Sequence, residues 1–337
     1  MAVQALVLGC AGTTLSGEER AFFKEVQPWG LILFKRNVAD HAQLKSLIGE
    51  FRETVGRGDA PVLVDQEGGR VQRLGPPLWR AYPSAASFAR IGDPLLRRAA
   101  VRLGARLIAH DLRALGITID CLPVLDVPVP GADAVISDRA YGTKPEEVAI
   151  GGRAAAEGLI AGGVLPVIKH IPGHGRAMAD SHAALPRVGA ARASLTAHDF
   201  APFRALADMP LAMTAHVVFT AIDDRHPATL SPRVFSEVIR GEIAYEGLVM
   251  TDDLSMKALS GSFAERARRA YIAGCDVVLH CNGAREEMEA IASAAKPLAG
   301  KAKQRAEAAL ARIRHAPEPF DSVDEWARFD ALLAGKA

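Results

Sequence analysis

The sequence predicts an α/β fold, a single (β/α)8 TIM-type barrel whose active site lies at the C-terminal rim of the strands. Three observations carry this expectation: short apolar runs recur along the chain, amphipathic stretches of helical length separate them, and ionisable residues collect where the runs end. In such a barrel those run ends share one rim, which is where barrel enzymes place their chemistry.

The runs are QALVLG at 4–9, GLILF at 30–34, PVLVD at 61–65, ITIDCLPVLD at 117–126, VLPVIKH at 164–170, LAMTAHV at 211–217, GLVMTDD at 247–253 and CDVVLH at 275–280. Each is largely continuous rather than alternating, as expected of parallel strands buried on both faces. Between them the period changes. Val101, Ala105, Ile108, Leu112 and Leu115 recur at helical spacing, with Arg98, Arg102, Arg106, His110 and Arg113 on another face and Gly116 as the stop. Ser16 with Glu19 has the spacing of a capping box for the first helix. An open doubly wound sheet is the competing architecture, and the polar residues at the run ends favour closure. They are Asp65, Asp126, Lys169, His170, His216, Asp252, Asp253 and His280. The chain reads as one domain over 1–337, with an Ala-rich helical extension from about residue 297 packed outside the barrel.

Composition narrows the function. Forty basic and thirty-nine acidic residues leave a net charge of +1, which gives no reason to expect nucleic acid or an anionic membrane as partner. No apolar stretch reaches the ~18–20 residues of a spanning helix, and the N-terminal run is too short for a secretion signal. A cytoplasmic monomer acting on a small, weakly charged molecule is the expectation. Cys10, Cys121, Cys275 and Cys281 form no C-x-x-C pair, so buried free thiols are expected rather than disulfides or structural zinc.

Three segments carry chemistry. In VDQEGGRVQRL (64–74) a strand delivers Asp65 to the rim, Gly68-Gly69 permits a sharp turn, and Arg70 and Arg73 follow. A carboxylate flanked by arginines suits sugar hydroxyls, and capping with surface ion pairs explains the segment equally well. In IKHIPGHGRAMADSH (168–182) Lys169 and His170 end a strand, and Pro172, Gly173 and Gly175 make an irregular loop, expected to be mobile. Asp180 and His182, two apart, can face the same way, so the carboxylate can orient the imidazole for proton transfer. Metal binding by His170, His174, Asp180, His182 and His216 is the sharper alternative. In VIRGEIAYEGLVMTDDLSM (238–256) a strand end presents Asp252 to the barrel mouth, where a glycosyl nucleophile would sit. Its neighbour Asp253 suits the N-cap of the next helix.

These segments together resemble glycoside hydrolase family 3, in its bacterial cytoplasmic β-N-acetylhexosaminidase branch. The likeness runs from about residue 5 to 295 and rests on residues 238–255, KHIPGHG followed by Asp180-Ser181-His182, VDQEGGRVQRL and MTAHV. It implies a barrel enzyme without the second, sandwich-type domain of larger relatives. It implies Asp252 as nucleophile, His182 as general acid/base with Asp180 as its partner, and Asp65, Arg73, Arg139, Lys169 and His170 as residues binding N-acetylglucosamine. The implied reaction removes N-acetylglucosamine from 1,6-anhydromuramoyl peptides by double displacement, with no cofactor and no metal. Arg176-Ala177-Met178 departs from the branch's acidic-threonine start after GHG. A metal-dependent barrel hydrolase and a non-catalytic sugar-binding protein are the rival functions.

Overall fold

A computed structural model describes residues 2–181 and 184–335. Eight parallel strands close a barrel: β1 (Gln4–Leu8), β2 (Pro28–Leu33), β3 (Val62–Val64), β4 (Ile119–Asp120), β5 (Leu165–Ile171), β6 (Leu211–Thr214), β7 (Leu248–Asp253) and β8 (Val277–His280). They neighbour one another in sequence order and β8 pairs with β1, Leu6 opposite Val278, so the barrel sheet has no open edge. All seven residues of β5 and all six of β2 are buried, which is why these runs lack alternation. The doubly wound alternative falls on this closure.

The helices expected between the runs form. α1 (Gly17–Val26) carries the capping box, with Glu19 N–H on Ser16 Oγ at 3.0 Å and Ser16 N–H on Glu19 Oε2 at 2.9 Å. α2 (His41–Thr54) and α3 (Pro94–Leu115) follow, α3 ending on Gly116 in the left-handed conformation at φ 92°. α4 is Pro145–Ala161. After β5 and β6 the helical segments contain π-helical stretches, Leu195–Asp199 and Phe235–Glu242. α5 (Phe263–Ala273) and α6 (Arg285–Ala292) flank β8, and α7 (Gly300–Ala311) and α8 (Ser322–Leu333) follow. α5 starts at the cap Ser262, so Asp253 is not its N-cap.

The arginine face of α3 holds the C-terminal segment. Arg102 pairs with Glu318 at 3.1 Å, Arg106 donates to Glu318 O at 2.7 Å and lies over the Phe320 ring at 4.0 Å. α8 then seats Phe329, 1% exposed, against Gly104 of α3. The four cysteines are buried and free. Among the described residues no helix is long and apolar enough to cross a membrane.

Candidate active site

A cavity of about 280 Å³ opens where β2, β3, β5 and β7 end, lined among others by Asp65, Glu67, Arg73, Arg139, Lys169, His170, His174, Asp180, Ser181 and Asp252. Local irregularities in two strands aim its side chains. The register of β5 against β6 slips between Lys169 and Ile171, which lets the consecutive Lys169 and His170 both line the cavity where a regular pleat would send one away. β7 slips against β8 between Met250 and Asp253, where Thr251 Oγ1 takes the Leu279 N–H at 2.9 Å. Asp252 thereby reaches the cavity. Asp253 turns toward β8 and accepts from Ser255 Oγ at 2.5 Å and Cys281 N–H at 3.2 Å.

Five charges interlock on one wall. Lys169 Nζ lies 3.0 Å from Asp65 Oδ1 and 2.7 Å from Glu67 Oε1. Arg73 donates to Asp65 Oδ2 at 2.9 Å, and Arg139 grips Glu67 with two bonds of 2.8 Å. Gly68 and Gly69, at φ 92° and 57°, turn the chain between Glu67 and Arg73. Burial alone would raise both carboxyls, yet Lys169 with Arg73 holds Asp65, and Lys169 with Arg139 holds Glu67, below the usual carboxylate range. Burial likewise works against the Lys169 ammonium, and the two carboxylates more than reverse it, raising its pKa.

Opposite stands His170. Its Nδ1 sits 2.6 Å from Asp126 Oδ2, and Asp126 Oδ1 accepts the N–H groups of His170 at 3.1 Å and His174 at 2.7 Å. His170 Nε2 faces Asp252 Oδ2 at 3.9 Å, beyond hydrogen-bond range. Asp252 Oδ1 is held by the Asp253 N–H at 2.8 Å, so one oxygen is fixed and the other open to the cavity. Burial would push this carboxyl up, and His170 and His216 keep it low. His174 is pushed down to about 4 by burial, hence neutral near pH 7.

Of the residues singled out in the sequence, Asp65, Arg73, Arg139, Lys169, His170, Asp180 and Asp252 therefore meet around one cavity. His182 lies outside the described residues. His216 does not reach the cavity: it is fully buried, bonded to Thr229 Oγ1 at 2.7 Å and to Asp253 O at 3.1 Å. That takes His216 away from the cavity, while the Asp126 contact on His170 Nδ1 leaves its Nε2 on the cavity side. No cluster of three or more ligating side chains suited to a metal occurs among the described residues.

The barrel that carries this cavity has close parallels among known proteins. Residues 4–316 match the family model described as the glycosyl hydrolase family 3 N terminal domain. The chain belongs to glycosyl hydrolase family 3. This family 3 hydrolase is 42% identical over 288 residues to a beta-hexosaminidase of Alkalilimnicola ehrlichii, covering 84% of this chain and 82% of that one. Among solved structures it is similar to NagZ from Neisseria gonorrhoeae in complex with N-trifluoroacetyl-D-glucosamine, with a TM-score of 0.87, 30% identity and 99% of each chain covered. The same NagZ solved with a zinc ion gives a TM-score of 0.82 at 30% identity, covering 99% of this chain and 97% of that one.

One cavity residue escaped the sequence reading, and a second site residue was noted there only as a run-end acid. Glu67 lies two residues beyond Asp65, ahead of the Gly-Gly turn, and a second acid at that spacing was the available signal. Asp126 was visible at a run end, but nothing local shows that its carboxylate serves both His170 and His174. Arg70, expected beside Asp65, also lines the cavity but pairs with Asp138 at 2.8 Å.

Proposed function

We propose that this family 3 hydrolase is a retaining exo-β-N-acetylglucosaminidase. It releases terminal N-acetylglucosamine from peptidoglycan-derived 1,6-anhydromuramoyl (peptide) fragments, as a cytoplasmic monomer needing neither metal nor cofactor. The observation that carries the reading is Asp252: a buried carboxylate kept ionised, with one oxygen fixed and the other open to the cavity. A glycosyl nucleophile needs that state. The beta-hexosaminidase and NagZ relatives support the sugar class, and about 280 Å³ suits one hexosamine ring.

In the proposed reaction Asp252 Oδ2 attacks the anomeric carbon as the glycosidic bond breaks. His182, oriented by Asp180, protonates the leaving oxygen. Water, deprotonated by the same imidazole, then attacks the glycosyl ester and releases the sugar with retention. Lys169, Asp65, Arg73, Arg139 and His170 bind the sugar hydroxyls, and ion pairs with one another, with Glu67 and with Asp126 hold them in place before substrate arrives.

The test is to trap the intermediate. Incubation with a fluorinated N-acetylglucosaminide, followed by peptide mapping, should label the peptide bearing Asp252, and Asp252→Ala should abolish label and turnover while still binding N-acetylglucosamine. Label on another residue would end this assignment.

A further inference from the structure

Arg176 opens the stretch in which the chain departs from its branch's pattern, and its contacts are specific. The segment from His170 to Ala177 is gripped on two sides. On one, Asp126 holds the N–H groups of His170 and His174, Val129 N–H donates to Gly175 O at 3.2 Å, and Asp133 N–H donates to Ala177 O at 2.8 Å. A Cβ on Gly175 would stand 2.0 Å from Val127 O, so this glycine permits close approach of the two segments. On the other side Arg176 Nε donates to Asp199 Oδ2 at 2.7 Å and Nη2 to Ser194 Oγ at 3.1 Å. Asp199 ends the π-helical stretch and is 2% exposed. Past Ala177 the chain swings outward, with Met178 66% exposed. It returns at Asp180 and Ser181 to the cavity wall, where Ser181 O accepts Ala258 N–H at 3.2 Å.

We propose that the Arg176–Asp199 ion pair is a positioning clamp that sets where Asp180 stands at the cavity wall, and through it the proton transfer assigned to His182. The inference rests on the reading of His182 as the proton-transfer residue. Arg176 is the last charged side chain before Asp180, four residues on, so little chain separates the anchor from the dyad. The anchor itself is stiff. A carboxylate with almost no access to water cannot exchange the guanidinium for solvent without a heavy desolvation cost. Nε and Nη2 engage two different partners, which fixes the guanidinium plane as an ammonium could not. A π-helical stretch, uncommon and concentrated at functional sites, supplies the acceptor.

The experiment compares Arg176→Ala, Arg176→Lys and the neutral pair Arg176→Gln/Asp199→Asn with His182→Ala. For each, kcat and KM are measured across N-acetylglucosaminides of graded leaving-group ability. Displacing a proton donor by an ångström or so is worth about 10²-fold. Arg176→Ala should therefore lose about 10²-fold in kcat on the poorest leaving groups and only a few-fold on the most activated, with KM little changed. Arg176→Lys should recover part of the loss. Should Arg176→Ala fail to fold, the neutral pair and Arg176→Lys carry the same readout. A steep trend for His182→Ala with flat or absent losses in the folded Arg176 variants sinks the clamp alone. A flat series for His182→Ala sinks the reading of His182, and the clamp with it.

Discussion

Replacing Lys169 by Met removes the ammonium from between Asp65 and Glu67 while keeping an unbranched side chain of similar reach. The Lys169 side chain is 2% exposed, and its ammonium sits 3.0 and 2.7 Å from the two carboxylates. Breaking a buried pair by deleting one partner costs about 3–5 kcal/mol, because the remaining charge stays desolvated. Here Arg73 still serves Asp65 and Arg139 still serves Glu67, which places the loss near the lower figure. With roughly 2.1 cal/mol/K of unfolding entropy per residue, 337 residues give roughly 0.7 kcal/mol/K, so about 3 kcal/mol lowers Tm by about 4 °C. The sign of the pH dependence follows from the carboxyls. In the native protein both are held low, so their contribution is present above their unfolded pKa values and is lost only as pH falls through the folded ones. Without the ammonium, burial pushes both upward. The variant then pays for ionised carboxylates at pH 7 and is relieved as they protonate toward about pH 5. Calorimetry of both proteins between pH 5 and 8 should show a Tm deficit of about 4 °C at neutral pH that shrinks on acidification, with KM for an aryl N-acetylglucosaminide raised. A deficit equal at pH 5 and 8 would mean that the ammonium does not hold the acidic pair.

Gly175→Ala should destabilise by about 1–3 kcal/mol and depress kcat, because its Cβ would overlap the Val127 carbonyl. Urea titration with parallel kinetics checks it, and unchanged values would refute the close packing of the two loops. Phe329→Ala should cost about 3–5 kcal/mol by opening a cavity over Gly104, so thermal melting should expose α8 as part of the cooperative core. Exhaustive dialysis against chelator should leave turnover intact, because the proposed reaction uses Asp252 as nucleophile and an imidazole for the proton and asks nothing of a metal. Activity lost and restored by a divalent ion would bring the metal-hydrolase reading forward.

The sequence by itself determined the barrel and its rim. Continuous apolar runs point to strands buried on both faces, and ionisable residues at the ends of eight such runs favour a closed barrel over an open doubly wound sheet, a choice that the pairing of β8 with β1 completes. The capping box at Ser16 and the stop at Gly116 are local devices, satisfied within a few residues, and so were legible without coordinates. Motif spacing likewise carried Asp65, Lys169, His170 and Asp252 to one mouth. What only the tertiary structure decided were pairings between residues far apart in the chain. Lys169 meets Glu67, Asp126 serves His170 and His174, and Arg176 finds Asp199. His216 looks like a rim residue in sequence, yet the chain after β6 folds Thr229 against it and buries it. The arginine face of α3 reads as a polar surface until residues 318–320 lie across it. Periodicity reports which face of an element is apolar, whereas the partner of a buried charge depends on which distant strand or loop arrives beside it.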